Sequence, residues 1–455
     1  MMRSVAIALV ITACGGSHSA GTTTHAKPAA DIDPDGPHRA AVTAQIQPLI
    51  DAELTSGMVV GLYDAGRMEI YGFGKGPGGK APHGSTLFEA GQLTHIFTSL
   101  VLADAVQRRE VTLDTPASDL VPPGVTMPTV DKVAITLKHL ALNVSGLPTL
   151  PPSLDARPTA EAFAQYNEDA LYRDLIHTQL IAPPGTRIHS SDYGVGLLGF
   201  LLDKKLGDVL KPRILDPLAL QDTSYAPKDA ARVAQGTNDD LTNVPPARFG
   251  VLRDALGMTT SARDLLRLID AELDAAAGGK QPLRNAMRLT QETQLEGEGA
   301  NEGLGWNVDS AGRYWQSGGT AGFRSFVTFD PKTRRGVVLL SSSSVSLIDA
   351  LAKRMYDLLD NIAVPKPKFA DAALVAKYAG KYDFQGKQVA ITAKGTRLYV
   401  EAPDEPKFRM LPISDHEFWI DPLRLVIVFE QKDNKVSRAI FVLGPNQISA
   451  PRVPD

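Results

Sequence analysis

A single cysteine among 455 residues, Cys14, excludes any disulfide within the chain, and Cys and His nowhere cluster at metal-ligand spacing. No internal repeat is visible. No run of about 20 apolar residues occurs, so no bilayer-spanning helix is expected. A basic excess is also lacking: 47 Lys and Arg against 51 Asp and Glu give a net charge of −4 and a pI near 6.2. That balance offers no general attraction to nucleic acid or to an anionic membrane. What is present, 43% hydrophobic and 22% charged residues, suffices for a large core and a smaller second unit.

The N-terminus carries an export pattern. Arg3 precedes the short apolar run Val5 to Ile11, and the small residues Thr12 and Ala13 come directly before Cys14. This is the layout of a signal peptide over residues 1–13. Ile11-Thr12-Ala13-Cys14 resembles a bacterial lipobox, in which the cysteine is lipidated and begins the mature chain. The alternative is an ordinary cleavable signal with an incidental cysteine. Lipidation accounts for an otherwise unpaired thiol in an exported protein, and Gly15 rather than aspartate after it favours an outer over an inner membrane. Residues 14–37, rich in Gly, Ser, Thr, Ala and Pro, read as a flexible tether.

Order is expected from His38, where Val42, Ile46, Leu49 and Ile50 recur at helical spacing up to Ser56. Met58 to Asp64 and Arg67 to Gly74 then read as a hairpin about Ala65-Gly66. After Gly91 the residues Leu93, Ile96, Phe97, Leu100 and Val101 define one face of a buried helix. Leu113 to Glu298 mixes short helical patterns with Pro and Gly loops, a helical subdomain. Ser325 to Asp330 and Gly336 to Ser342 are strand-like, and Leu347 to Ile362 is amphipathic helix. The expected class is therefore α+β: an antiparallel sheet built from both ends of a domain at 38–362, flanked by helices, with a helical insertion. A proline-interrupted linker at 363–368 precedes a small all-β unit at 369–455, barrel or sandwich.

The landmarks most informative about chemistry are Leu87-Phe88-Glu89-Ala90-Gly91-Gln92-Leu93-Thr94-His95, Ser145-Gly146-Leu147-Pro148, Pro184-Gly185-Thr186-Arg187 leading to Tyr193-Gly194, Gly303-Leu304-Gly305-Trp306 and Gly318-Gly319-Thr320-Ala321-Gly322-Phe323. Their order over residues 41–362 resembles the serine β-lactamases of class C and the related penicillin-binding proteins, peptidases and esterases. The resemblance implies a β-lactamase/transpeptidase-like fold. It also implies a pocket served by three motifs. S-x-x-K at a helix start supplies a nucleophile and, one turn on, its base. Y-x-N helps relay the proton, and K-T-G or H-x-G faces the nucleophile from a strand.

Each motif is altered here. Gln92 stands in the serine position and His95 in the lysine position; Ser190-Ser191-Asp192 replaces Y-x-N, and Gln316-Ser317-Gly318 replaces K-T-G. No serine in the chain has a lysine three residues later, so the motif has not moved. A carboxamide is no nucleophile, and losing the nucleophile alone costs on the order of a millionfold in comparable serine enzymes. The reading favoured is an envelope lipoprotein with impaired catalysis that binds a cell-wall (peptidoglycan) peptide or an envelope protein, with no cofactor and no nucleic-acid partner. One rival is an active hydrolase (D-alanyl peptidase, β-lactamase or esterase type) with a rewired Ser190, His95 and Asp192 triad. Another is a scaffold with a vestigial pocket. His95 as a buried helix-turn histidine and Asp192 as a loop acid beside Tyr193 are the non-catalytic alternatives. Gly318 to Gly322 is too irregular for a phosphate loop, Trp306 and Trp315 read as core or pocket wall, and Asn143-Val144-Ser145 has the form of a glycosylation sequon.

Overall fold

The structure is a computed structural model. It describes residues 36–454 except 279–280, 293, 298–299, 345–347, 404, 421–422, 424, 434 and 445. The expected leader, Cys14 and the tether up to residue 35 lie outside the described residues. Among the described residues no helix is long and apolar enough to cross a membrane.

The first helix, α1 (Arg39–Asp51), buries Val42, Ile46 and Leu49 at the expected spacing. It ends five residues earlier than Ser56. The chain turns over at Glu53, whose φ is +55°, and the Leu54 N–H closes onto Leu49 O at 2.9 Å, a helix-terminating turn that frees the backbone for strand pairing. The hairpin β1 (Gly57–Asp64) and β2 (Arg67–Gly74) follows as expected, with Ala65 and Gly66 both at positive φ. Helix α2 (Thr94–Gln107) is buried on every side from Thr94 to Ala105, so the single apolar face read from sequence understates it. A helix wrapped all round by protein has no solvent face to mark. Among the helices that follow are α3 (Asp192–Leu206), α4 (Ala262–Ala276) and α5 (Pro282–Gln291).

The central sheet is larger than its two legible ends. To the hairpin it adds β3 (Leu295–Gly297), β4 (Ala300–Gly303), β5 (Trp306–Val308), β6 (Tyr314–Gly319), β7 (Arg324–Asp330) and β8 (Arg335–Ser341). Their order is β2-β1-β8-β7-β6-β5-β4-β3, every pairing antiparallel. The helical region expected to reach Glu298 therefore ends sooner, giving way to β3 at Leu295. Both sheet faces are covered, which is why the central strands are continuously apolar rather than alternating. Val59, Tyr63, Val338 and Leu340 pack on the side of α2 and α4. Met58, Val60, Leu62, Val337 and Leu339 pack towards α1 and α6 (Ile348–Leu359).

After the linker and a short helix α7 (Ala372–Tyr378), the second unit is a closed eight-stranded barrel. Its strands are β9 (Gly380–Phe384), β10 (Lys387–Lys394), β11 (Arg397–Glu401), β12 (Phe408–Pro412), β13 (Glu417–Ile420), β14 (Leu425–Lys432), β15 (Lys435–Leu443) and β16 (Asn446–Val453). Pairing of Tyr382 with Arg452 joins first strand to last and removes the open edges a sandwich would keep. Side chains including Tyr382, Met410, Phe418 and Phe429 fill the interior. The barrel docks on the larger domain through Arg397, whose Nε donates to Glu53 Oε2 and Nη1 to Asp240 O, both at 2.6 Å. Tyr399 Oη donates to Asp240 Oδ1 at 2.6 Å, and Arg409 Nη2 to Glu53 O at 2.8 Å. Leu411 enters the core beneath α1 and α6.

Candidate functional site

The start of α2 is held against β6 by main chain. Gly91 has φ +54°, and a Cβ there would lie 2.4 Å from Gly319 N. A Cβ on Gly318 would lie 2.2 Å from Ala90 O. Glycine is required at both positions, because only hydrogen fits between the two segments. Ser325 Oγ donates to Ala90 O at 2.7 Å and adds a side-chain tie from β7.

Gln92 lies in the 3₁₀ turn that leads into α2. Its Oε1 accepts from the Gly319 N–H at 2.9 Å. That bond fixes the amide orientation, since only oxygen can accept it. The Nε2 end consequently faces Asp192, donating to Oδ2 at 3.1 Å. His95 belongs to the first turn of α2 and is 4% exposed. Its Nε2 stands 3.3 Å from Asp192 Oδ1, near enough for charge pairing but without the alignment of a hydrogen bond. Asp192 is not a loop acid. It opens α3, with Ser191 as the N-cap accepting from Gly194 N at 2.9 Å. A carboxylate in a first helical turn is favoured by the helix dipole.

Gln92, His95, Ser190, Gln316, Ser317 and Gly318 line one open cavity of about 690 Å³. Asp192, expected in the same group, is not among the described lining residues and joins the site through Gln92. Ser190 is exposed on the rim, whereas its neighbour Ser191 is buried and donates to Pro148 O at 2.7 Å. Gln316 is bonded within the sheet: Nε2 donates to Gly305 O at 3.2 Å and Oε1 accepts from Ser317 N at 3.0 Å. Trp306 and Trp315 are cavity wall as expected, although each also packs on a core ring, Trp306 edge-to-face on Phe329 and Trp315 stacked on Phe326.

Several lining residues escaped the sequence reading. Asn143, seen there only as a sequon, sits at φ +55° and accepts from Ser191 N at 3.0 Å through its side chain. It thereby ties the α3 start to the cavity. Glu302, on β4, is 8% exposed and lines the cavity; burial pushes its carboxyl up to about 7. Its signal was its position directly before Gly303-Leu304-Gly305-Trp306. Arg324 turns Nη1 onto Thr320 O and Phe323 O, each at 3.0 Å. Below the cavity floor Glu89 accepts from Thr320 Oγ1 at 2.6 Å and from Ala247 N at 2.8 Å; burial raises it, the two hydrogen bonds acting against that. Among the described residues no three His, Cys, Asp or Glu side chains gather as metal ligands.

A family model for beta-lactamase matches residues 42–361, which is most of the larger domain and more than half of the chain. The chain belongs to the beta-lactamase family. Among its curated relatives is a beta-lactamase of Escherichia coli K12, 24% identical over 343 residues, spanning 66% of this chain and 87% of the relative. The D-alanyl-D-alanine-carboxypeptidase/endopeptidase AmpH of the same strain is also 24% identical over 343 residues, covering 69% and 86%. A beta-lactamase of Pseudomonas fluorescens matches at 24% over 278 residues, 59% and 74%. The match of the beta-lactamase family model ends before the barrel. Family membership explains why the α2 start, the α3 start and β6 converge.

Proposed function

We propose that this protein is a catalytically impaired member of the beta-lactamase family that uses the cavity to bind a cell-wall peptide or an envelope protein, exported and anchored through a lipid on Cys14. The observation that carries the reading is the double engagement of Gln92 inside an open cavity. Its carboxamide offers no attacking atom, and both its ends are already bonded, to Gly319 N–H and to Asp192. The N–H that could receive a substrate carbonyl thus has an acceptor supplied by the protein itself. An open cavity of about 690 Å³ supports binding over a vestigial pocket, and the names of the relatives, beta-lactamase and D-alanyl-D-alanine-carboxypeptidase/endopeptidase, support a peptide-like ligand.

The test is incubation of the soluble chain with a fluorescent penicillin, followed by denaturing electrophoresis. No covalent adduct is expected, together with co-sedimentation with isolated peptidoglycan; a stable adduct would overturn the reading. The approach of His95 to Asp192 favours one rival, a hydrolase that uses Ser190 from the rim. Ester or β-lactam turnover lost in both Ser190→Ala and His95→Ala would establish it, and turnover unaffected by either would exclude it.

A further inference from the structure

Glu302 is a buried carboxyl that the proposed function leaves unused. It is 8% exposed and lines the cavity. Among the described residues no hydrogen bond or ion pair reaches its carboxyl, and burial is the sole cause acting on it. An acid so enclosed loses its hydration without gaining a counter-charge. The other charges of the cavity do not supply one. His95 is set against Asp192 at 3.3 Å, and Arg324 Nη1 is turned onto two backbone carbonyls. No lysine is among the described lining residues. Gln316, where the family resemblance leads one to expect a cation, is neutral and bonded into the sheet. Two indoles, Trp306 and Trp315, share the wall, and indole rings favour cations over anions.

We infer that the cavity recognises its ligand through an ammonium group, the N-terminal or side-chain amine of a peptide, paired with the Glu302 carboxylate. This rests on the reading that the cavity binds rather than turns over its ligand, and adds the charge of what is bound. An anionic ligand, carboxylate-ended and without an amine, is disfavoured by the same carboxylate. An ammonium brought to Glu302 gives the enclosed acid the partner it lacks.

The experiment titrates the soluble chain, by tryptophan fluorescence at pH 7.5, where the Glu302 carboxyl is mostly ionised and an α-amine mostly protonated, with three dipeptide probes of similar shape. D-alanyl-D-alanine amide carries an ammonium, N-acetyl-D-alanyl-D-alanine amide is neutral, and N-acetyl-D-alanyl-D-alanine is an anion. The cation is expected to bind at least tenfold more tightly than the neutral probe, with the anion weakest. Glu302→Gln, which keeps shape and removes charge, is expected to abolish the advantage of the cation while leaving the neutral probe within about twofold. Gln316→Lys, which adds a cation to the same wall, is expected to invert the order. Equal binding of anion and cation, a cation advantage that survives Glu302→Gln, or no binding of any probe overturns the inference. A covalent penicillin adduct overturns the underlying reading instead, so the two failures are distinguishable.

Discussion

Replacing Gln92 by glutamate changes one atom group and puts the central bridge under test. The side chain keeps its length, and its remaining oxygen can still accept from Gly319 N–H. The amide that donated to Asp192 Oδ2 at 3.1 Å becomes an oxygen facing an oxygen. Two unit charges at that separation repel by about 5 kcal/mol at an effective dielectric of 20. The folded protein has a cheaper escape, which is to keep one proton between the two carboxyls. Holding a proton on a glutamate of ordinary pKa near 4.3 costs about 1.4 kcal/mol per pH unit, so at pH 7.5 the penalty is capped at about 4 kcal/mol. The protonated pair reproduces the original hydrogen bond, so the fold survives.

The sign follows from linkage. The pair is raised in the folded state, so its contribution is whole below the unfolded pKa and is lost as pH rises through the raised folded value. Gln92→Glu is therefore expected to match the parent protein near pH 4.5 and to fall behind by about 2–4 kcal/mol at pH 7.5. Urea denaturation followed by tryptophan fluorescence measures this, two of the three tryptophans, Trp306 and Trp315, lying beside the cavity. A stability difference that is absent, or that does not change between pH 4.5 and 7.5, would refute the Gln92 to Asp192 bridge.

Other substitutions probe the frame around it. Gly91→Ala should lose at least about 2 kcal/mol, from positive φ and from a Cβ 2.4 Å from Gly319 N, read as a lowered denaturant midpoint; an unchanged midpoint would contradict the close approach. Glu272, on α4, is fully buried, and burial pushes it up to about 8 against a hydrogen bond from Gln291 Nε2 at 2.5 Å. Its stabilising contribution is whole below about 4.5 and drains as pH rises towards 8. Glu272→Gln should thus equal the parent near pH 5 and exceed it by a few kcal/mol at pH 9, and a constant difference across that range would count against it. Arg397→Ala removes the bonds to Glu53 and Asp240 and should cost about 1–2 kcal/mol of barrel docking, seen as faster proteolysis at residues 363–368; unchanged cleavage would mean the barrel is held by its apolar contacts alone.

The parts of the fold legible in sequence are those whose cause is local. The β1–β2 hairpin announced itself through two apolar runs about Ala65-Gly66, and α2 through a long regular apolar pattern. Strands β3 to β5 did not. They are three or four residues each and carry Glu296, Asn301, Glu302 and Asn307, too short and polar to establish a period of two. Barrel closure was likewise illegible, because it depends on Tyr382 meeting Arg452 across the length of the unit. The site divides the same way. The positions of Gln92, His95, Asp192 and Gln316 followed from motif order, whereas the bridge from Gln92 to Asp192 and Gly319 joins residues 100 and 227 apart in the chain. The non-catalytic alternative for Asp192, a loop acid, fails because Ser191 caps a helix that Asp192 opens, a role hidden inside a degenerate motif.

The Gly91 and Gly318 contacts carry a practical consequence. Since the start of α2 and β6 meet through backbone, the spacing between these two walls is set by main chain rather than by the side chains at 92 and 316. Substitutions at 92 and 316 therefore act on a fixed mount. A nucleophile or a proton donor placed there would be held at a fixed distance from the facing segment, which makes this chain a candidate host for installing chemistry.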